Sequence, residues 1–449
     1  RVWWDPRSND GRSSKGVFQR YMMNRSKLNT QTQLTYNKTF AEHHNIDVLL
    51  GFETEDYKYD YTYTNGNTYP SYLPEITNAG VSRGASNINS YRMTSYLGRL
   101  NYDYDGKYYV SGSFRRDGSS RLSRDSRWGN FWSVSGSWRL SQEAFMESLS
   151  NVITDAKIRA SYGVNGTQPK DYYGYMGVYE FGYNYNGNGG SSEARFYNPS
   201  LKWEKNYNLN IGLSLTFIDR IFVNLEYYNR DTKDLLYNRP ISSTTGFLNY
   251  LANIGQLNNK GVEFELRTIN FAGPDFNWTS VLNLTHNRNK IVALDGDIKQ
   301  SVEGSWFIHK IGLPYNSFYV KEFAGVDPST GKGLYYLNTQ DEKGNYNREM
   351  TDDASKAQAI PYKSADPKIS GGFTNILSYK WFDLNFNVNF SFGAWNYDGA
   401  AGKLEHGGDG TLNIPIYYRK RWQKGGDETS IERFVVGRSI SMTDYATTR

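Results

Sequence analysis

Cysteine is absent from this sequence of 449 residues, and histidine occurs only five times. Without cysteine the chain has no disulfide framework, no thiolate metal site and no thiol nucleophile. The histidines show no HExxH motif or other metal-ligand spacing. Even the adjacent His43 and His44 are therefore interpreted as structural or surface residues, and the sequence predicts no metal site and no cofactor.

Long apolar runs and a strong charge imbalance are also missing. No window approaches the ~18 consecutive apolar residues of a membrane-spanning helix, so helical spanning is excluded. The 51 basic and 46 acidic residues are interspersed and leave a net charge of only +5. This mild imbalance gives little support for nucleic-acid binding, and no nucleic-acid partner is predicted.

Aromatic residues, in contrast, are abundant. They make up 16% of the chain, with 38 tyrosines and 11 tryptophans, although the mean hydropathy is only −0.71. Low hydropathy combined with many aromatic residues is typical of transmembrane β-barrels, whose strands face lipid at every second position and whose rims carry Tyr and Trp.

The dominant pattern is strict two-residue alternation, which predicts strands with one apolar and one polar face. Trp132, Val134 and Trp138 alternate with serines, and the segment Phe382–Phe392 alternates aromatic or aliphatic residues with Asp, Asn and Ser. About twelve to fourteen segments of this kind occur, each near the ~9–11 residues that a tilted strand needs to cross a bilayer. The predicted fold is all-β, an antiparallel transmembrane β-barrel with long extracellular loops, and residues 1–449 form one partial barrel domain.

The predicted connections alternate in length, as in outer-membrane barrels, where the long loops are extracellular. Short turns are predicted at Asp105, Asp219, Gly273 and Lys380. Long polar stretches are predicted as loops, and they are Tyr57–Ser90, Gly166–Ser200, Leu294–Asn316 and Gly325–Pro367.

Six segments together resemble one family, the SusC/RagA-like TonB-dependent transporters of the Gram-negative outer membrane. In chain order they are SFRRDGSSRLSRDSRWGNFWSVSGSWRLSQEAFM, KIRASYGVNGTQ, NPSLKWEKNYNLNIGL, NIGQLNNKGVEFEL, GVDPSTGKGLYY and DPKISGGFTNILSYKWFDLNFNVNFSFG. Each segment alone is a weak signal. Their order on the strand pattern makes the resemblance strong, and it covers nearly the whole chain.

The resemblance implies a barrel of 22 strands with an N-terminal plug, energised through TonB, and capped by a SusD-like lipoprotein. The implied function is import of a bulky nutrient, an oligosaccharide first and a peptide second. No plug-like domain is found in the sequence, and the final strands are missing, so the chain looks like a C-terminal-half barrel fragment whose TonB-contacting segment lies outside it. Outer-membrane lipid and lipopolysaccharide are expected neighbours, a dimeric complex is an option, and an outer-membrane receptor or adhesin without transport is the alternative. No cluster of catalytic residues supports an enzyme.

Two tyrosine-rich stretches and one arginine are the candidate contacts for ligand or for the capping partner. Tyrosine rings stack on sugar faces and are enriched in protein interfaces, whereas packing within a loop or an aromatic girdle is the competing interpretation. The strand phase places Arg115 on the polar face that lines the lumen and Arg116 at the membrane rim. Asp117 and Gly118 are predicted to begin the following loop, and the arginines of that loop, Arg121, Arg124 and Arg127, are expected to pair with Asp117 and Asp125. The candidate residues are Tyr61, Tyr63, Tyr69, Tyr72, Arg115, Tyr172, Tyr173, Tyr175 and Tyr183.

The segment GVDPSTGKG resembles an acidic Ca²⁺ loop in part. It lacks the full Asp-x-Asp-x-Asp-Gly spacing and the distal Glu of such loops. A turn inside an extracellular hairpin is therefore the predicted structure of this segment.

Overall fold

The computed structural model describes residues 1–70, 73–294, 296, 300–303, 306–399 and 414–435. Within these ranges the regular secondary structure is almost entirely strand. In chain order they are β1 Val2–Trp4, β2 Val17–Phe40, β3 His44–Asn67, β4 Val81–Tyr104, β5 Tyr108–Ser119, β6 Trp128–Arg139, β7 Ile153–Thr167, β8 Tyr179–Tyr185, β9 Asn188–Glu193, β10 Glu204–Phe217, β11 Ile221–Lys233, β12 Leu236–Pro240, β13 Asn249–Asn253, β14 Gln256–Ala272, β15 Phe276–Ala293, β16 Gln300–Glu303, β17 Phe307–Lys310, β18 Ser317–Val320, β19 Phe323–Val326, β20 Gly333–Tyr336, β21 Met350–Thr351, β22 Ile360–Ser364, β23 Ile369–Tyr379 and β24 Phe382–Phe392.

Helices are short and few in the described part of the chain. One α-helix, α1, comprises Asn9–Arg12, and its N-terminus is capped by the hydroxyl of Ser8. The 3-10 helices are Ile76–Asn78, Leu140–Gln142, Ala144–Leu149, Ser243–Thr245 and Ile416–Lys420. None of the helices within the described ranges is long and apolar enough to cross a membrane.

The chain divides into two compact units. The first comprises Arg1–Glu143, Arg159–Leu209 and Thr232–Ile254. Its strands β1 to β6 are hydrogen-bonded to one another in chain order, and it also contains the two-stranded hairpins β8–β9 and β12–β13.

The second unit comprises Ala144–Ile158, Asn210–Asp231 and Gly255–Arg449. Its strands β14, β15, β23 and β24 are hydrogen-bonded in that order. Two small sheets, of order β16-β17-β18-β22 and β19-β20-β21, are formed by the long connection between β15 and β23. Strands β7, β10 and β11 contribute residues to both units.

The short turns occur where the sequence predicts them. Asp105 and Gly106, between β4 and β5, have φ of 59° and 66°. Two successive positive φ angles define a type I′ hairpin turn, which matches the twist of the flanking strands and favours Asp-Gly. Ile218 and Asp219, between β10 and β11, adopt the same left-handed conformation, and Lys380 joins β23 to β24 with φ of 53°.

The sheet of the first unit has two chemically different faces, which we name by their residues. The outer face carries Leu34, Leu50, Val110 and Val134, each more than half exposed. The inner face carries Glu53, Ser95 and Arg115. A contiguous, solvent-exposed apolar surface of this kind is not stable in water and marks contact with lipid or a partner.

Two rows of aromatic rings border the apolar part of the outer face. Near the short turns, Tyr104, Tyr108 and Trp138 form a row with neighbouring centroids 6.3 Å apart. At the other end, Tyr96 lies 5.3 Å from Phe52 and 6.2 Å from Trp128. Trp128 and Trp138 are ten residues apart on β6, so they are roughly 34 Å apart along the strand, or roughly 26 Å in height at a tilt of about 40°. This matches the ~25 Å apolar band of outer-membrane barrels with its aromatic girdles.

The predicted strand length of about 9–11 residues is wrong for β2, β3 and β4, each of which has 24 residues. The predicted length fits only the apolar band. On β3 the outer face changes from Val48, Leu50 and Phe52 to Thr54 and then to charged residues. Beyond Thr54 the three strands remain paired in an unbroken register, and we name this part the projecting sheet.

The prediction that Tyr57–Ser90 is a loop is therefore a second error. Only residues 68–80 connect β3 to β4. On β3 this part alternates tyrosine with polar residues and has no aliphatic residue on either face, so the contrast between an apolar and a polar face is weaker there, although the backbone hydrogen bonds continue. The other three predicted loops contain short strands: β8 and β9 lie in the first, β16 and β17 in the second, and β20 to β22 in the third.

Candidate functional site

The inner face of the projecting sheet carries a series of tyrosines. Tyr57, Tyr59, Tyr61 and Tyr63 occupy alternate positions of β3, so all four side chains lie on one face, and each is half-buried. We name them the β3 tyrosines. The outer face of the same segment carries Lys58, Asp60 and Thr62 instead, so the rings are not part of the aromatic girdle.

Neighbouring strands extend this series of rings. Tyr21 of β2 is paired with Tyr63 in the register, and their ring centroids are 4.9 Å apart. The Tyr21 ring is also 6.4 Å from that of Tyr61, which is in turn 6.4 Å from that of Tyr59. The guanidinium of Arg25 lies 5.3 Å from the centre of the Tyr59 ring, a cation–π distance.

A second group of rings surrounds Arg121, and we name Arg121, Tyr57, Tyr91 and Tyr172 the Arg121 cluster. The guanidinium carbon lies 4.0 Å from the ring centre of Tyr91 and 4.9 Å from that of Tyr172. Tyr57 stacks on Tyr172 at 6.1 Å with an interplanar angle of 10°, and its ring is 5.2 Å from that of Tyr91. Arg121 also donates a hydrogen bond to the carbonyl of Pro169 at 3.0 Å. The cluster thereby connects the sheet to the segments that follow β5 and β7.

Glu55 connects the rings of the Arg121 cluster to a charged group of β2. The hydroxyl of Tyr91 donates a hydrogen bond to one carboxylate oxygen of Glu55, and the Lys27 ammonium lies 3.0 Å from the other. Burial and the neighbouring Glu55 carboxylate raise the pKa of Tyr91 to about 12. Burial alone would raise the pKa of Glu55, but the hydrogen bonds from Tyr91 and Lys27 outweigh it, and this pKa lies below its ordinary value.

Arg115 lies on the inner face, as its position in the alternation predicts. It donates hydrogen bonds to Asp117 at 2.7 Å, to Glu53 at 2.8 Å and to Ser95 at 2.9 Å. The expectation that Asp117 and Gly118 begin a loop is wrong, since β5 continues to Ser119. The sequence predicts Asp117 as a partner of the arginines in the following loop. In the structure Asp117 pairs with Arg115 instead.

A cavity of about 200 Å³ lies beside Glu53 and Glu55. Most of its lining belongs to the inner face of β2, β3 and β4. It is lined by Asn29, Thr30, Gln31, Glu53, Thr54, Glu55, Met93 and Ser95. The Gln31 amide donates to Glu53 at 2.8 Å, so the carboxylate is held between this amide and Arg115.

The remaining candidate tyrosines have different environments. Tyr173 accepts a hydrogen bond from the backbone of Ser90 at 3.3 Å, and Tyr183 is exposed on β8. Tyr175 packs against a buried cluster of Leu122, Phe131, Leu201 and Trp203, which is the hydrophobic core beneath these connections. Tyr172, in contrast, belongs to the Arg121 cluster.

Tyr69 is a core residue in the structure. It is only 6% exposed and makes an edge-to-face contact with Trp3 at 5.0 Å. Its position does not support the predicted contact with ligand or partner. Tyr72 lies outside the described residues.

Several residues of this site were missed in the candidate set, namely Tyr21, Tyr57, Tyr59, Tyr91, Arg121, Glu53 and Glu55. Tyr57 and Tyr59 could have been included from the sequence, because the alternation in YKYDYTYT has the period of a strand. Tyr21, Tyr91 and Arg121 join the site only through pairing between distant segments.

The segment GVDPSTGKG forms a hairpin turn between β19 and β20, as predicted. Asp327 accepts hydrogen bonds from the backbone and hydroxyl of Ser329 at 2.8 and 2.7 Å, and from the hydroxyl of Thr330 at 2.7 Å. The hydrogen bonds from Thr330 and Ser329 lower the pKa of Asp327 to about 2. The carboxylate therefore stabilises the turn.

The apolar band, its aromatic rows and the polar inner face define an outer-membrane β-barrel protein. Residues 2–423 match the family model described as "TonB dependent receptor-like, beta-barrel", and the chain belongs to this family. The resemblance to the SusC/RagA-like members is confirmed by relatives in sequence and in structure.

Two curated relatives and one solved structure illustrate the similarity. TonB-dependent receptor P3 of Formosa agariphila is 31% identical over 434 residues, which cover 90% of this chain and 42% of that protein. TonB-dependent receptor SusC of Bacteroides thetaiotaomicron is 31% identical over 376 residues, covering 78% and 36% of the two chains. The structure of the RagAB peptide transporter superimposes with a TM-score of 0.84 and 26% sequence identity. The match covers 96% of this chain and 48% of the RagAB chain. The chain spans less than half the length of the curated relatives that it matches.

Proposed function

We propose that the protein containing this chain imports a bulky nutrient across the Gram-negative outer membrane, energised through TonB and assisted by a SusD-like surface lipoprotein. The cargo is an oligosaccharide, with a peptide as the second candidate. The observation that carries this proposal is the series of half-buried tyrosines on the inner face of the projecting sheet. These rings lie beyond the apolar band, where cargo would arrive before it enters the barrel.

Two similarities support this proposal. The curated relative SusC is a TonB-dependent receptor, and RagAB, the structural relative, is a peptide transporter. The second similarity is the reason for keeping a peptide as a candidate cargo. Outer-membrane lipid contacts the apolar band in this proposal. Lipopolysaccharide phosphates pair with Arg116, an exposed residue whose guanidinium lies 5.1 Å from the centre of the Trp128 ring.

Uptake measured in cells tests the proposal. A deletion strain complemented with the full-length gene should accumulate labelled oligosaccharide or peptide, and this accumulation should stop when the TonB partner is deleted or the proton gradient is collapsed. Binding at the cell surface should survive both treatments. Uptake that persists without TonB would exclude energised import, and surface binding without any uptake would favour a receptor or adhesin.

A further inference from the structure

We propose that Tyr21 and the β3 tyrosines form a carbohydrate-contact surface, along which pyranose rings stack one after another before a single ring occupies the adjacent polar cavity. This inference rests on the proposed function and deepens it, because it assigns the cargo class to particular side chains. The surface begins at Tyr21 and Tyr63 and ends at Tyr57, which contacts Tyr91 above Glu55.

The spacing and accessibility of the rings support a track for ligand. Alternate residues on a strand are roughly 6.8 Å apart, so the four β3 tyrosines extend over roughly 20 Å. Each of the rings retains exposed surface, in contrast to the buried core tyrosine Tyr69. A row of flat, partly exposed rings offers repeated apolar contacts, and the C–H faces of successive sugar units present the matching repeated surface.

The alternative is that these rings only pack against one another. Packing accounts for the pairs formed by Tyr21, Tyr61 and Tyr63. It does not account for the difference between the two faces of the same segment, since the outer face has no aromatic residue between Thr54 and Thr64. Strand propensity favours aromatic residues on either face, so the concentration of rings on the inner face indicates a use for that face.

The polar cavity complements the rings with hydrogen-bonding groups. Asn29 and Gln31 provide amides, Glu53 and Glu55 provide carboxylates, and Ser95 provides a hydroxyl. Carboxylates accept several hydrogen bonds each, and amides both donate and accept, which suits the hydroxyl groups of a neutral sugar. A volume of about 200 Å³ is below the ~300–1,000 Å³ of drug-sized sites, so the cavity would hold one ring at a time.

The test uses the purified full-length protein and a panel of neutral gluco-, manno- and xylo-oligosaccharides. The triple variant Tyr59→Ala, Tyr61→Ala, Tyr63→Ala should bind its best oligosaccharide at least about tenfold more weakly, because three stacking contacts are lost. The variant with phenylalanine at the same three positions keeps the rings and should bind within about threefold of wild type. Isothermal titration calorimetry provides both affinities, and heat-modifiable electrophoretic mobility verifies that each barrel is folded.

The matched control replaces Lys58, Asp60 and Thr62 with alanine, because these residues lie on the same strand segment but on its outer face. It should bind like wild type. Equal binding by wild type and by the triple tyrosine-to-alanine variant would overturn the proposed surface. So would an equal loss of affinity in the outer-face control. Binding of a tryptic albumin digest, but of no oligosaccharide, would also overturn it. TonB-dependent uptake would remain in each of these cases if only the carbohydrate surface were wrong.

Discussion

Arg115 holds two carboxylates on the inner face, so its removal should destabilise the barrel. Arg115→Ala leaves Glu53 and the buried Asp117 without the guanidinium that they share. Because the Arg115 side chain is 36% exposed, water compensates part of the loss, and we expect the free energy of unfolding to fall by about 1–3 kcal/mol. Urea titration of the full-length protein in vesicles measures this change.

Arg92 supplies the control for this prediction. It forms an ion pair with Asp56 at 2.7 Å, but both side chains are largely exposed, and such surface pairs contribute at most about 1 kcal/mol. Arg92→Ala should therefore have a clearly smaller effect than Arg115→Ala. Equal losses would show that the network around Arg115 contributes no more than a surface ion pair.

Tyr91 should make stability depend on pH in the alkaline range. Its pKa of about 12 in the folded protein lies above the ordinary value of 10.0, mainly through burial and then through Glu55. The proton is bound more tightly in the folded state, so the stabilisation is complete below pH 10 and is lost as the pH rises towards 12. The difference in unfolding free energy between wild type and Tyr91→Phe should decrease over this interval, and a constant difference would contradict the assignment.

At the scale of the element, the outer face of β3 changes from apolar to polar along the strand. Substitution by arginine should therefore cost a different amount of stability at two positions on this face. Leu50→Arg introduces a charge into the apolar band and should cost about 2–4 kcal/mol if it lies near the bilayer midplane. Thr62→Arg, on the same face of the projecting sheet, should change the unfolding free energy by less than about 0.5 kcal/mol. Urea titration in vesicles compares the two, and similar costs would mean that the membrane boundary is misplaced.

Strands were predictable from sequence where their two faces differ in polarity. The alternation at Phe382–Phe392 predicts a strand, and β24 has these bounds. The segment Tyr57–Asn67 alternates tyrosine with polar residues but has no aliphatic face, so its strand signal is weaker, and a local pattern does not reveal the hydrogen bonds to β2 and β4 that make it part of β3.

The same limit applies to the site. The two-residue alternation of the strand is enough to place Arg115 on the inner face. Its partner Glu53, however, is 62 residues away in the chain. Likewise, Arg121 meets Tyr91 and Tyr172 only because two connections fold back onto the sheet. Register between distant strands therefore decides which side chains meet, whereas the sequence decides which face they occupy.

For the whole molecule, the alternation of long and short connections predicts its orientation in the membrane. Tyr185, on the long connection after β7, is 86% exposed, and Lys107 belongs to the short turn between β4 and β5. In intact cells a membrane-impermeant maleimide should label Tyr185→Cys, and it should label Lys107→Cys only after permeabilisation. This chain contributes no other cysteine to the labelling, and the reverse pattern would invert the orientation.

The projecting sheet has a consequence for the cost of recognition. A loop that closes on its cargo loses about 1–2 kcal/mol of backbone conformational freedom for each residue that becomes fixed. The β3 tyrosines are instead carried by a strand that is hydrogen-bonded on both sides, so this entropy has already been lost when the protein folds. The site is preorganised, and more of each contact with cargo is retained as affinity.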